Sequence, residues 1–256
     1  MQRWITRLVD WVGGHELATL LRLLVMAVTT WGFIALTSAV VRGRTRTFDE
    51  RILLALRVPG NLATPIGPEW LTEVARDLTA LGSTVVLILG LLGVAGFLLL
   101  DRRLAAMYFV LAAVTTGWLL SLGLKAVVDR PRPMVVPHLV EVSYSSFPSG
   151  HSMMSAVVYG TLGASLSSLV TLRRLKFYFL SVAVFLAGVV GLTRIYLGVH
   201  YPTDVLGGWS AGLTWSIFCW LLSRSLIRSH VIEPTLGSDE IEKQDFGGFS
   251  ADDPPR

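Results

Sequence analysis

Residues 177–204 read FYFLSVAVFLAGVVGLTRIYLGVHYPTD. Through position 195 the one charged side chain is Arg194, and the residues that follow add His200 and Asp204. A helix needs roughly 20 mostly apolar residues to cross a bilayer, so 177–195 reads as a span ending in an arginine, a histidine and an aspartate. Such groups are costly at the bilayer centre and much less so at a span end, where they keep contact with water. They therefore mark a site at the lipid–water boundary. Working outward, further apolar runs lie at 23–41, 83–100, 104–124, 152–170 and 205–222. The expected fold class is all-α, a polytopic membrane protein built as a six-transmembrane-helix bundle. Composition agrees: the 256 residues are 52% hydrophobic and 16% charged, with a mean hydropathy of +0.60, whereas charged residues make up about a quarter of an ordinary soluble domain.

The same pass divides the chain. Residues 1–22 are expected to form an N-terminal interfacial segment, because MQRWITRLVDWV puts Trp4, Leu8, Trp11 and Val12 on one helical face and Arg3, Arg7 and Asp10 elsewhere. An irregular tail fits this short pattern equally well. The run 23–41 starts late and exceeds the roughly 7–15 apolar residues of a signal peptide, so it reads as an uncleaved span. Residues 23–222 are expected to form the six-span domain, with 42–82 an extracytoplasmic helical insertion. FDERILLALR and PEWLTEVARDLTALG both have helical periodicity, and Pro59, Gly60, Pro65, Gly67 and Pro68 mark a loop between them. Two short helices lying against the membrane, as a lid or entrance to the site, are expected there. Residues 223–256 are expected to be a disordered cytoplasmic tail, polar and rich in Gly, Pro and Asp from Ser229 onward.

Orientation follows from cations in the short loops. Arg102 and Arg103, then Arg173, Arg174 and Lys176, then Arg224 and Arg228, all fall on one side of a six-span layout. That side is read as the cytoplasm, with both termini there and the polar cluster on the extracytoplasmic face of a bacterial inner (plasma) membrane. The arginines of 42–82 run against the rule and are outweighed by the shorter loops. Net charge is +4, but the cations lie between apolar runs and not in one solvated patch, which suits topology and anionic headgroups. No nucleic-acid partner is expected, and the oligomeric state is not legible. Cys219 is the lone cysteine, so no intrachain disulfide forms.

With that alternation Lys125, His151, Arg194 and Asp204 all sit at the same membrane face. Lys125, Arg132 and Arg194 supply three cations, and an arginine fork matches two oxygens of a phosphate. PSGH, residues 148–151, precedes an apolar helix. Ser149 and the Gly150 N–H would lie at its positive N-terminus, an anion seat that glycine lets a ligand approach closely. Each residue alone has a plainer reading: Ser149 as a helix cap, Arg132 as a topology charge, Lys125 as a snorkelling span end, Asp204 as a cap of the last span. Their meeting on one face favours a phosphoryl site. His200 and Asp204 are four apart, so a helix beginning near Tyr201 or Pro202 brings the carboxylate to the imidazole. Asp204 then holds one ring nitrogen as N–H and leaves the other free to attack, and His151 is available as proton donor to the leaving oxygen. Two histidines and an aspartate also fit a metal, but three nearby cations repel a divalent ion and already neutralise charge. No metal and no cofactor are expected. His15, His138 and His230 lack such company and read as structural or exposed.

On these residues the chain resembles the membrane-bound lipid phosphatase branch of the type 2 phosphatidic acid phosphatase (PAP2) superfamily, whose signature is three separated blocks. Lys125, six residues and then Arg132-Pro133 in KAVVDRPRP match the first, PSGH the second, and TRIYLGVHYPTD, residues 193–204, the third, with Thr193 where serine is commoner. The resemblance implies that His200 is a nucleophile forming a phosphohistidine, oriented by Asp204. It implies that His151 is general acid and then base, and that Lys125, Arg132, Ser149, Gly150 and Arg194 hold the phosphoryl oxygens.

The expected activity is hydrolysis of a phosphate monoester or diphosphate on a lipid: undecaprenyl diphosphate, phosphatidylglycerophosphate or phosphatidate. Two alternatives stand beside it. A vanadium-dependent haloperoxidase would use the same pocket for vanadate, though those relatives are soluble, and a non-catalytic lipid carrier or scramblase would need the cations but no nucleophile.

Overall fold

The computed structural model describes residues 15–140, 145–168 and 170–228. In chain order the described elements are α1 (His15–Val41), α2 (Arg46–Ala55), β1 (Arg57–Val58), β2 (Asn61–Pro65), α3 (Glu69–Ala80), α4 (Thr84–Leu100), α5 (Leu104–Val128), α6 (Gly150–Ser168), α7 (Arg173–Tyr196) and α8 (Pro202–Arg228). The six apolar runs all fall on helices: α1, α4, α5, α6, α7 and α8. Four of these are long and apolar enough on their own to cross a membrane, at Thr19–Val41, Leu104–Val128, Arg173–Tyr196 and Pro202–Ser223. A fifth span arises if α3 and α4, bent by 42° at their junction, are taken together. α4 alone is short at 17 residues, and α6 owes its lower hydropathy to residues such as His151, Ser152 and Ser155.

Two expected boundaries shift. α1 begins at His15, because Leu17, Leu20 and Leu21 extend its apolar run backward, so no break falls at residue 22. α8 continues to Arg228, so 223–228 are helical and not tail. The expectations for residues 1–14 and 229–256 lie outside the described residues.

α6 is the central helix, packed against both α7 and α8. Helices in lipid gain little from apolar burial against each other and associate through close packing of small residues. Here a Cβ placed on Gly208 of α8 would stand 2.6 Å from the Ser149 carbonyl oxygen, and one on Gly212 would stand 2.5 Å from that of Met153. The two backbones therefore meet with no side chain between them. Leu87, Val114, Met154, Val157 and Val158 form a core where α4, α5 and α6 converge.

Segment 42–82 holds the two expected helices, α2 and α3, but the stretch between them is an antiparallel hairpin where a loop was expected. Val58 pairs with Asn61 across Pro59-Gly60. Gly60 has φ +82°, the left-handed value that the third position of a proline-initiated type II turn requires. The segment packs beneath the polar end of the bundle: Leu53 of α2 shares a core with Val136, Ile195, Tyr201 and Val205, and Ala75 of α3 shares one with Leu197 and Val199.

Candidate active site

The three sequence blocks converge at one end of the bundle. Lys125, in the last turn of α5, donates from Nζ to the Ser145 carbonyl at 3.0 Å, and Ser145 Oγ donates back to the Lys125 carbonyl at 3.1 Å. This exchange ties the α5–α6 connection to the helix end. Arg132, in that connection, donates from Nη1 to the Val199 carbonyl at 2.7 Å and stands 3.2 Å from His200 Nε2. Arg194, in the last turn of α7, is buried. Its Nη1 donates to Thr79 Oγ1 of α3 at 3.3 Å, while its Nε has no hydrogen-bond partner. A buried guanidinium with an unused donor is poised for an anion.

His200 is 1% exposed in the short link between α7 and α8. Pro202 starts α8, its fixed φ suited to a first helical position, and Asp204 falls one turn beyond His200. The two approach to 3.5 Å between Nδ1 and Oδ2. That is ion-pair distance without hydrogen-bond geometry, and His200 Nδ1 makes no hydrogen bond. Burial pushes the His200 imidazole well below its ordinary pKa, and Arg132, Arg194 and Lys125 push the same way. The ring is therefore neutral at neutral pH, with a lone pair available.

Lys125, Arg132, Gly150, His151, Arg194 and His200 all line one cavity of about 910 Å3. The rest of its wall is mostly apolar, including Leu87, Leu91, Val114, Trp118 and Met154, with Thr84, Thr115, Ser121 and Asp129 among its polar residues. From Lys125 back to Val114 the cavity follows α5 for roughly 16 Å at the helical rise per residue. Ser149 and Asp204 do not line it. Asp204 stands off the cavity wall, beside Nδ1 of His200. Ser149 is fully buried, accepts from the Ser152 N–H at 3.4 Å and from Ser152 Oγ at 2.9 Å, and so caps α6. His138 is exposed and bonded through Nε2 to the Pro133 carbonyl at 2.6 Å. The side chain of His15 and the whole of His230 are outside the described residues. Among the described residues no group of three or more His, Cys, Asp or Glu side chains is clustered as a metal site.

Residues that the blocks do not name complete the arrangement. Arg130 bridges Asp204 and Asp49, with Nη1 to Asp204 Oδ1 at 2.6 Å and Nη2 to Asp49 Oδ2 at 2.7 Å. Asp49 is fully buried in α2 and accepts from the Thr203 N–H and hydroxyl at 3.0 and 2.7 Å. Thr79 brings α3 to Arg194. Arg130 is visible in KAVVDRPRP two residues before Arg132. Asp49 carries a subtler signal: a carboxylate one turn from Leu53 on the apolar side of an amphipathic helix.

The sequence pattern of the PAP2 superfamily matches residues 105–228. Phosphatidylglycerophosphatase B of Bacillus subtilis is 36% identical over 182 residues, which cover 71% of this chain and 86% of that protein. Lipid A 1-phosphatase of Rhizobium etli is 30% identical over 62% of this chain and 78% of its own length. In three dimensions the chain is similar to the crystal structure of a transmembrane PAP2-type phosphatidylglycerolphosphate phosphatase from Bacillus subtilis. The TM-score is 0.70 at 32% identity, over 78% of this chain and 96% of that one. The chain is an integral membrane protein and belongs to the PAP2 superfamily.

Proposed function

We propose that this chain is a lipid phosphatase that releases inorganic phosphate from a lipid phosphate monoester or diphosphate through a phosphohistidine on His200. The observation that carries the reading is the single cavity that joins His200, His151 and three cations to apolar walls. Its two characters match an amphiphile with a phosphate head. Phosphatidylglycerophosphate is the first substrate to try, because the Bacillus subtilis relative is named for it.

In the first step His200 Nε2 attacks phosphorus, the P–O bond to the lipid breaks, and His151 gives the leaving oxygen its proton. In the second, water attacks phosphorus, His151 takes its proton, and the P–N bond breaks to free His200. Lys125, Arg132 and Arg194 gather the equatorial oxygens and offset the charge that a metal carries in other phosphoryl transfers. The Gly150 N–H adds a donor at the α6 N-terminus. Ser149 joins them when its hydroxyl turns from Ser152 to the ligand. Asp204 stabilises the cationic phosphohistidine from behind.

The same reading makes all six long helices spans, with the site on the extracytoplasmic face of a bacterial inner membrane and both termini in the cytoplasm. It makes segment 42–82 part of the site's wall, which the lining of the cavity by Thr79 and Gly82 supports.

The test is phosphate release by detergent-purified protein from phosphatidylglycerophosphate, phosphatidate and undecaprenyl diphosphate, with and without EDTA. Release that survives EDTA and vanishes in His200→Ala is expected. Release abolished by EDTA, or retained by His200→Ala, would overturn the metal-free histidine mechanism.

A further inference from the structure

We infer that Asp49 and Arg130 are positioning residues for this reaction, acting on His200 through Asp204. The inference rests on the reading of His200 as nucleophile. A guanidinium facing one carboxylate prefers to close on both its oxygens with two parallel N–H bonds. Arg130 does not. It divides its fork, giving Nη1 to Asp204 Oδ1 at 2.6 Å and Nη2 to Asp49 Oδ2 at 2.7 Å. Nη2 also reaches Thr45 Oγ1 at 3.4 Å.

The division is held from three sides. Asp49 is fixed by the Thr203 N–H and hydroxyl. Thr203 Oγ1 accepts from Arg130 Nη1 at 2.8 Å. The guanidinium lies over the Tyr201 ring at 4.1 Å. Because Arg130 takes only Oδ1, the other carboxylate oxygen of Asp204 is left for the reaction. Oδ2 accepts from the Tyr201 N–H at 2.9 Å and faces His200 Nδ1. Without the charge of Asp49 both arms of the fork would be free to close on Asp204, drawing Oδ2 away from the imidazole. Asp49 thus acts by occupying one arm of Arg130, and α2 is fastened to the nucleophile's support by the same contacts.

A structural anchor and a positioning relay differ in how Asp49 depends on Asp204. The experiment is a double-mutant cycle of Asp49→Asn and Asp204→Asn in the full-length protein, read as kcat and KM on phosphatidylglycerophosphate micelles. His200→Ala serves as the zero, and the enzyme concentration is set high enough to measure Asp204→Asn turnover. A misplacement near 1 Å costs about 100-fold in rate, so Asp49→Asn is expected to lower kcat about that much while leaving KM nearly unchanged. In the Asp204→Asn background the same substitution is expected to cost nothing further. An equal loss in both backgrounds, or a rise in KM with kcat intact, would overturn the relay. Melting temperature monitors folding. Should Asp49→Asn fail to fold, Arg130→Lys replaces it: an ammonium is a single point without the rigid fork that keeps the two carboxylates apart, and the same kcat loss and the same absence of further loss are expected. His200→Ala without activity beside a fully active Asp49→Asn would sink the inference alone. An active His200→Ala would remove the nucleophile reading and the inference with it.

Discussion

The contact between α6 and α8 can be tested by adding one methyl group. Gly208 lies one turn after Asp204, and its missing Cβ would stand 2.6 Å from the Ser149 carbonyl oxygen, 2.9 Å from Ser152 Cβ and 3.0 Å from the Met153 nitrogen. Ordinary contact begins at 3.4 Å, so Gly208→Ala must part the helices by about 0.8 Å. The obstructing atoms are mostly backbone in the first turn of α6 and cannot rotate aside. Overpacking of this kind costs about 1–3 kcal/mol, while alanine in place of glycine within a helix returns about 1 kcal/mol. The net loss of stability is therefore small. Function is affected more, because α8 carries Asp204 and follows His200, whereas α6 carries Gly150 and His151, and a shift of this size across the reacting groups costs about 100-fold in rate. The expected result in a phosphate-release assay is a kcat/KM down by about that factor, with the melting temperature little changed. Gly188→Ala, on α7 with nothing within 4 Å of its Cβ, is the control and is expected to keep full activity. Retention of more than a third of wild-type kcat/KM by Gly208→Ala would refute the argument that sub-ångström register between these helices sets the rate.

The pH dependence has a definite sign. An unperturbed histidine titrates near 6.5, and His200 is lowered well below that by burial and by Arg132, Arg194 and Lys125. The acid limb of kcat/KM that reports His200 is therefore expected below pH 6.5. Arg132→Gln removes a cation and is expected to move that limb to higher pH; a limb that stays put or moves lower would contradict it. The unfolded chain takes up this proton before the folded one, so the contribution of His200 to stability is complete above about pH 6.5 and is lost as the pH falls. Thr79→Val removes the acceptor for Arg194 Nη1. Hydrogen bonds to charged groups are worth about 1.5–3 kcal/mol, and this one is long, so kcat/KM is expected to fall about tenfold with most of the change in KM. An unchanged KM would show that α3 does not set the position of Arg194.

Much of the catalytic end was legible because its parts are local. His200 and Asp204 are joined by helical spacing, PSGH announces a helix start, and long apolar runs became helices wherever they occurred. Position in the bundle was harder. Ser149 takes the geometry of the plainer of its two readings, a cap, its hydroxyl accepting from the Ser152 N–H and Oγ. Asp49 and Arg130 are not legible as partners because their contact spans 81 residues and no local pattern encodes it. The hairpin at 57–65 signals itself only by its Pro-Gly turn, since β1 has only two residues and offers no alternation to detect.

The cavity residues assigned to phosphate all lie within 105–228, the part of the chain that carries the family pattern. Two of the contacts that hold them do not. Asp49 and Thr79, which contact Arg130 and Arg194, come from the first hundred residues, outside that pattern. On the proposed reading, a graft of 105–228 onto another protein's leading segment carries every reacting group, and its turnover is expected to be slow unless the host presents a buried carboxylate to Arg130 and a hydroxyl to Arg194. On the proposed reading, the stretch that carries the family pattern is shorter than the stretch that holds its side chains in place.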